Sequence, residues 1–274
     1  MQERIDYKIM LKKLSNFLSR FYIFIIFLFL YAPILVLMVF SFNDSKSMSV
    51  WKGFTLKWYG ELLNDQRILQ ALYYTLLIAI ISSVVATIIG TISAIGISKM
   101  RGPMKRLILN INYLPVLNPD IVTGIALMSL FGAIALIIPL QPGFMTLLLA
   151  HITFSIPYVI LSILPKLKQL PPNLVEAALD LGATPFYAIR KVLLPQIKPG
   201  IAAGFLMAFT MSIDDFVISF FTTGPGVSNL SIEIYAMARR GIKPEINALS
   251  TIMFVVVLIL LLVVNSKDSL IKED

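Results

Sequence analysis

The chain has 274 residues, 58% of them apolar and only 14% charged, with a mean hydropathy of +0.86. Soluble domains carry about 25% charge, so these values exclude a soluble globular enzyme and a disordered chain, and the long uncharged runs indicate a polytopic helical membrane protein. The absence of cysteine and the single histidine exclude disulfide scaffolds, Cys nucleophiles and thiolate or His-rich metal sites, so no metal site is expected. The net charge of +8 becomes a question of where the cations lie.

In chain order, residues 1–20 form a basic N-terminal segment. The uncharged run 21–42 predicts a first helix. At 1.5 Å per residue it crosses a hydrocarbon core of ~30 Å. It is too long for a signal peptide, and no small-residue cleavage site follows it, so it is expected to be retained. An amphipathic stretch, Leu56–Leu63, presents Trp58 and Tyr59, residues suited to an interfacial anchor. The second helix is expected at 69–98. There Ser82, Ala86, Gly90, Ala94 and Ser98 recur every four residues and lay small side chains along one packing face.

A third helix is expected at 107–137. Asn118-Pro119-Asp120 inside it reads as a helix restart, with Asn as cap, Pro at the first position and the Asp120 carboxylate in the first turn. The Pro-Leu-Gln-Pro-Gly punctuation at 139–143 precedes a fourth helix at 144–164, which holds His151. A lone membrane histidine is expected to bond a neighbouring helix.

The segment 165–199 has the local signals of a structured loop. Pro171-Pro172 stops what precedes it. Asn173 and Glu176 form a capping-box pattern, and Leu174, Val175, Ala178 and Leu181 give the short helix an apolar face. Gly182 is placed to end that helix in a left-handed conformation. Thr184 and Pro185 start a second helix, which Pro195 is expected to end or kink. A unit this short needs something to pack on.

A fifth helix is expected at 200–223 and a sixth at 246–264, with 21–266 forming one membrane domain and 267–274 a tail. Asp120, Asp214 and Asp215 are the only acidic residues inside the spans, and no Lys or Arg accompanies them. Each central Asp costs roughly 2.5–3.5 kcal/mol on insertion scales, so such residues normally face a water-filled path or a partner. Neighbouring helical residues point about 100° apart, so Asp214 and Asp215 are expected to differ in role, with Ser212 either beside the path or bonding its own backbone. In the last loop, Glu233 and Tyr235 are weaker external candidates.

Six spans place both termini on one side. The segments sharing that side hold 16 Lys and Arg residues and the opposite segments hold 7, which predicts cytoplasmic termini. The excess of cations is therefore topogenic, and nucleic-acid binding is not expected.

Glu176-Ala177-Ala178, three residues, Gly182, nine residues and Val192-Leu193-Leu194-Pro195 resemble the EAA loop of ABC importer permeases, with Val192 where Ile is usual. The resemblance implies an all-α membrane protein of six transmembrane helices in the type I ABC importer permease (MetI-like) fold, in a bacterial cell membrane. It implies ATPase coupling through Glu176, Ala177, Ala178, Gly182, Leu194 and Pro195. The chain holds no Walker phosphate loop, so it is expected to be no enzyme and to bind no cofactor, with ATP and Mg2+ on a partner.

The run Ser212-Ile213-Asp214-Asp215-Phe216 through Pro225 is similar to spermidine/putrescine permeases. So are Asn118–Val122, His151–Phe154, Leu179–Ala183 and Lys57-Trp58-Tyr59. That likeness runs from about residue 30 to 265. It implies half of a polyamine pathway, with a homologous second permease, two cytoplasmic ATPases and an extracytoplasmic polyamine-binding protein. Asp120, Ser212, Asp214, Asp215 and Trp58 would then face the substrate, with Tyr59, Glu233 and Tyr235 as outer contacts. Carboxylates suit the ammonium groups and aromatics the methylene spacers. The rivals are an importer for another solute, an ion-coupled cation transporter or channel, and a membrane-embedded enzyme. The EAA pattern fits the first of these and favours neither of the other two.

Overall fold

The structure, a computed structural model, describes residues 2–46, 50–240 and 244–270, with side chains for 16–46, 50–240 and 244–259. The cations Arg4, Lys8, Lys12, Lys13, Lys243, Lys267 and Lys272 lie outside those side chains. The elements are α1 (Gln2–Phe40), α2 (Lys57–Asn64), α3 (Gln66–Lys99), α4 (Gly102–Leu117), α5 (Asp120–Ala135), α6 (Phe144–Gln169), α7 (Leu174–Asp180), α8 (Pro185–Tyr187), α9 (Leu194–Asp214), α10 (Val217–Thr222), α11 (Leu230–Arg240) and α12 (Pro244–Leu270). A π-helical turn, Ala188–Leu193, joins α8 to α9. Among the described residues, the one β-type pairing is an isolated bridge between Asn43 and Phe54.

Four described helical stretches are long and apolar enough to cross a membrane: Asn16–Phe40, Gln66–Lys99, Phe144–Gln169 and Pro185–Asp214. Counting α4 and α5 as one broken span gives five. The described part of α12, Pro244–Ile259, is a shorter apolar helix.

The chain divides into two compact units, residues 1–65 with 237–274, and residues 66–236. In the first unit α12 packs against α1 and α2. Trp58 on α2 is 3% exposed and donates its indole N–H to the Asn43 carbonyl at 2.8 Å. The Tyr59 hydroxyl bonds Ser41 Oγ at 2.7 Å.

The second unit is built on the mutually packed helices α3, α6 and α9. The small-residue face of α3 makes this possible, since Ser82, Ala86, Gly90 and Ala94 are all buried. A Cβ added at Gly90 would lie 2.6 Å from Val159 of α6. Around this contact sit Ala86, Ala94, Val159, Ile160, Ile163 and Ile197 as one apolar cluster. A second cluster joins Leu127 and Phe131 of α5 to Ala150 and Phe154 of α6 and Ile218 of α10.

Two expected spans are not single helices. The third is two 16-residue helices meeting at 107°. Pro119 forces Asn118 into extended backbone (ψ 143°) and contributes no N–H, so the helix stops and restarts. Pro119, not Asn118, occupies the cap position, and no side chain caps α5. The fifth starts well before residue 200 and breaks at Asp215, which has extended backbone (ψ 122°), before α10 resumes.

Candidate substrate pathway and coupling loop

At the break between α9 and α10, one buried polar network joins five segments. His151 of α6 is 1% exposed. Its Nδ1 lies 2.6 Å from Ser212 Oγ on α9, and its Nε2 lies 2.9 Å from Ser219 Oγ on α10. Ser212 also meets Ser82 Oγ of α3 at 3.2 Å. Asp215 caps α10: Oδ1 accepts from the Ile218 N–H, and Oδ2 accepts from the Ser219 N–H and hydroxyl. Asn229 donates to Ser219 Oγ at 2.7 Å and to the Asp215 carbonyl at 3.1 Å, while its Oδ1 accepts from the Ile232 N–H.

With the carboxylate as acceptor, the donors run in one consistent order. Ser82 gives to Ser212, and Ser212 gives to Nδ1. Nε2–H gives to Ser219, and Ser219 gives to Asp215. The imidazole thus clasps the two sides of a helix break. A second tie is Thr75 of α3, whose Oγ accepts from the Leu230 N–H at the start of α11.

This geometry separates the sequence candidates. Ser212 is 1% exposed and lies within the clasp, bonding neighbouring helices rather than an open path. Asp215 is occupied by its cap. Asp214, the last residue of α9, is exposed, and among the described residues it has no hydrogen-bond or ion-pair partner. A carboxylate at a helix C-terminus meets the negative end of the helix dipole, so Asp214 sits where its own helix disfavours it. Next in the chain, Phe216 lies 4.5 Å from Tyr235 between centroids with the rings tilted by 36°, and Phe220 lies 6.4 Å from the same ring. Tyr235 and Phe220 are half exposed, so an aromatic surface flanks the free carboxylate.

Asp120 is exposed in the first turn of α5. Glu233 is half-buried and lines a 250 Å³ cavity with Arg67 and Gln70. Trp58 and Tyr59 belong to the other unit. The Trp58 ring is buried and already has Lys57 Nζ 5.3 Å from its centroid, so this arrangement gives it a structural post rather than a free aromatic face.

The loop 165–199 forms largely as its local signals require. Gly182 has φ +86°, its N–H bonds the Leu179 carbonyl, and the Ala183 N–H bonds the Ala178 carbonyl. That pair of bonds is a Schellman ending. Thr184 Oγ accepts from the Tyr187 N–H, with Pro185 at the first helical position. Asn173 takes the cap position of α7 but makes no side-chain cap bond. Pro195 does not end the second helix. The π-helical turn before it shifts the hydrogen-bond register, so the missing proline N–H falls where α9 begins.

Part of the loop's apolar surface is exposed, with Leu181 at 90% and Phe186 at 72%, whereas Ala188 and Leu193 are buried. Ala177 and Glu176 are exposed on α7, and Ala178 and Gly182 line a 500 Å³ cavity with Leu181 and Tyr187. Leu194 packs instead on the core cluster of α3, α6 and α9. The loop is therefore exposed at α7 and anchored in the bundle at Leu194. Among the described residues, no three His, Asp or Glu side chains converge on a metal-sized point.

A profile described as "Binding-protein-dependent transport system inner membrane component" matches residues 86–270. The chain belongs to that family of transport permeases. The spermidine/putrescine transport system permease protein PotC of Escherichia coli (strain K12) is 40% identical to this permease over 237 residues, 86% of this chain and 88% of that protein. The putrescine transport system permease protein PotI of the same strain is 42% identical over 231 residues, 82% of each chain. A bacterial ABC transporter involved in the import of the acidic polysaccharide alginate shares the fold, with a TM-score of 0.75 at 18% identity, covering 95% of this permease and 97% of that chain.

Sequence reasoning placed His151 inside the fourth helix with a bond to a neighbouring helix, but missed what it holds. Ser82 was read only as a packing residue, and Asn229 and Thr75 carried no signal. The available clue was the pair Ser212 and Ser219, seven residues apart, about two helical turns, on either side of the two aspartates.

Proposed function

We propose that this permease forms half of the membrane pathway of an ATP-driven polyamine importer. The observation that carries the reading is its 40–42% identity, across more than four fifths of the chain, to two permeases of spermidine and putrescine systems. The exposed, unpartnered carboxylate of Asp214 beside Phe216, Phe220 and Tyr235 supports it. An ammonium group would neutralise the carboxylate and offset the helix dipole, and the rings would cover the methylenes. Asp120 is a second acidic contact on the same route. Asp215 and Ser212 act one step back, holding the break that presents Asp214.

In this reading the chain has six spans and cytoplasmic termini, which the 16 to 7 division of cations supports. A homologous permease supplies the other wall. A binding protein delivers the polyamine from outside, and two cytoplasmic ATPases carry ATP and Mg2+. The exposed face of α7 docks in the ATPase, with Glu176, Ala177, Ala178 and Gly182 at the contact. Leu194 and Pro195 pass its movement into α9.

The test is uptake of labelled spermidine and putrescine by cells carrying the whole transporter, with variants at matched membrane levels. Asp214→Asn is expected to lower uptake at least about tenfold, the worth of a charged contact, while complex assembly and ATPase activity persist. Normal uptake by that variant would remove Asp214 from the pathway. No polyamine uptake by the intact wild-type complex would overturn the substrate assignment.

A further inference from the structure

A cavity of about 590 Å³ lies between α7 and the ends of α3, α4 and α6. Four cations line it: Lys99 and Arg101 at the α3–α4 junction, Lys105 on α4 and Lys168 near the end of α6. Glu176 is the one acidic residue in the lining. Among the described residues, no carboxylate pairs with any of the four cations, and Lys105 spends one donor on the Ser98 carbonyl. The rest of the wall is mainly apolar, with Leu109, Leu164 and Leu167 on the side of the helix bundle.

Topogenic charge needs only to be on the right side of the membrane. It does not need to gather round one hollow, and Arg190, Lys191 and Lys198 of the same loop do not line this one. Four like charges facing a shared cavity repel one another, and an anion placed among them removes the repulsion. A leucine wall beneath a cationic rim is the chemistry of a phospholipid site, with phosphate at the rim and the start of the acyl chains on the leucines.

We propose that this cavity binds the headgroup of an anionic phospholipid from the inner leaflet. The assignment rests on the cytoplasmic orientation of 165–199 given above. The lipid sits against the inner side of α7, the helix whose other face is turned outward for the ATPase. An anionic bilayer therefore steadies the coupling helix before the ATPase closes on it.

The experiment uses the whole transporter, purified in mild detergent and weighed by native mass spectrometry, with phosphatidylglycerol as the probe. The test variant carries Lys99→Gln, Arg101→Gln, Lys105→Gln and Lys168→Gln. It leaves 12 cations against 7, so the topogenic bias survives. A control removes four other cations, with Lys12→Gln, Arg20→Gln, Lys198→Gln and Lys272→Gln.

One cation near an anionic surface is worth about fivefold in affinity. Wild type and control are expected to retain phosphatidylglycerol, and the test variant to lose at least about tenfold of it. In nanodiscs, ATPase activity is expected to rise with phosphatidylglycerol for wild type and control and to stay flat for the test variant. Equal retention by the test variant, or equal loss by the control, overturns the site. Stimulation of wild type in neutral-lipid nanodiscs by inorganic phosphate alone would show a small-anion site and overturn the lipid assignment. Retention is read without any transport, so an error in the transported solute leaves this result unmoved.

Discussion

Two interruptions of helical structure define this permease, and they are made by opposite means. The coupling loop is assembled from neighbours in sequence. Gly182 turns the chain with φ +86°, two backbone bonds close the end of α7, and Thr184 starts the next helix. Leu181 and Phe186 are left outside. The break at Asp215 is assembled from neighbours in space. His151, Ser82 and Asn229 reach it from 64, 133 and 14 residues away in sequence, and the bonding atoms are almost wholly buried. A loop proposed to dock on another chain is held by its own backbone. A break that must stay fixed inside the bundle is held by the bundle.

The largest effect should come from removing the clasp. His151→Ala leaves Ser212 and Ser219 with lost partners and opens a buried cavity. The expected destabilisation is roughly 2–5 kcal/mol, seen as a lower thermal midpoint of the detergent-solubilised complex. His151→Gln, whose amide has both a donor and an acceptor, should recover part of the loss. An unchanged midpoint for His151→Ala would mean that the break is held by Asp215 and its cap alone, and the contrast between the two regions would weaken.

This contrast also explains what was legible in the sequence. Gly182, Thr184 and Pro185 act through bonds within five residues, so their pattern is visible in one line of text. The break at 118–120 was visible because Pro119 restricts its own neighbour, although the cap fell on Pro119 rather than Asn118. No Gly or Pro lies between Phe205 and Thr223, so nothing local announced the break at Asp215. It depends on which side chains α3 and α6 bring to it. For the same reason adjacency alone could not divide the work of Asp214 and Asp215. Trp58 and Pro195 depend on their surroundings: tertiary packing buries the Trp58 ring, and a π-helical turn precedes Pro195, so the chain continues into α9 instead of ending there.

The packing beneath the clasp sharpens the comparison at a middle scale. Gly90→Ala places a Cβ 2.6 Å from Val159, a stiff branched side chain on a facing helix. Overpacking of this kind costs about 1–3 kcal/mol. Val159→Ala should restore much of it, so the double variant is expected to be clearly more stable than the sum of the two single losses. Thermal midpoints of the four proteins measure that coupling. Simple addition would mean that the helices part without strain and that the small-residue face of α3 is not required for close approach.

The smallest effect on stability, and the most selective one, belongs to the coupling loop. Gly182→Ala forces a side chain into the left-handed region, at a cost of about 1 kcal/mol. A Cβ there meets nothing within 4 Å, so the strain is confined to the backbone turn. The midpoint of the complex should therefore move little. The angle at which α7 leaves the turn should change, and with it the fit of its exposed face to the ATPase. The expected result is a larger proportional fall in substrate-stimulated ATPase activity than in thermal stability, the reverse of His151→Ala. If Gly182→Ala instead lowers the midpoint as far as His151→Ala does, the loop is part of the bundle's stability, and the division between a locally built coupling element and a globally built break does not hold.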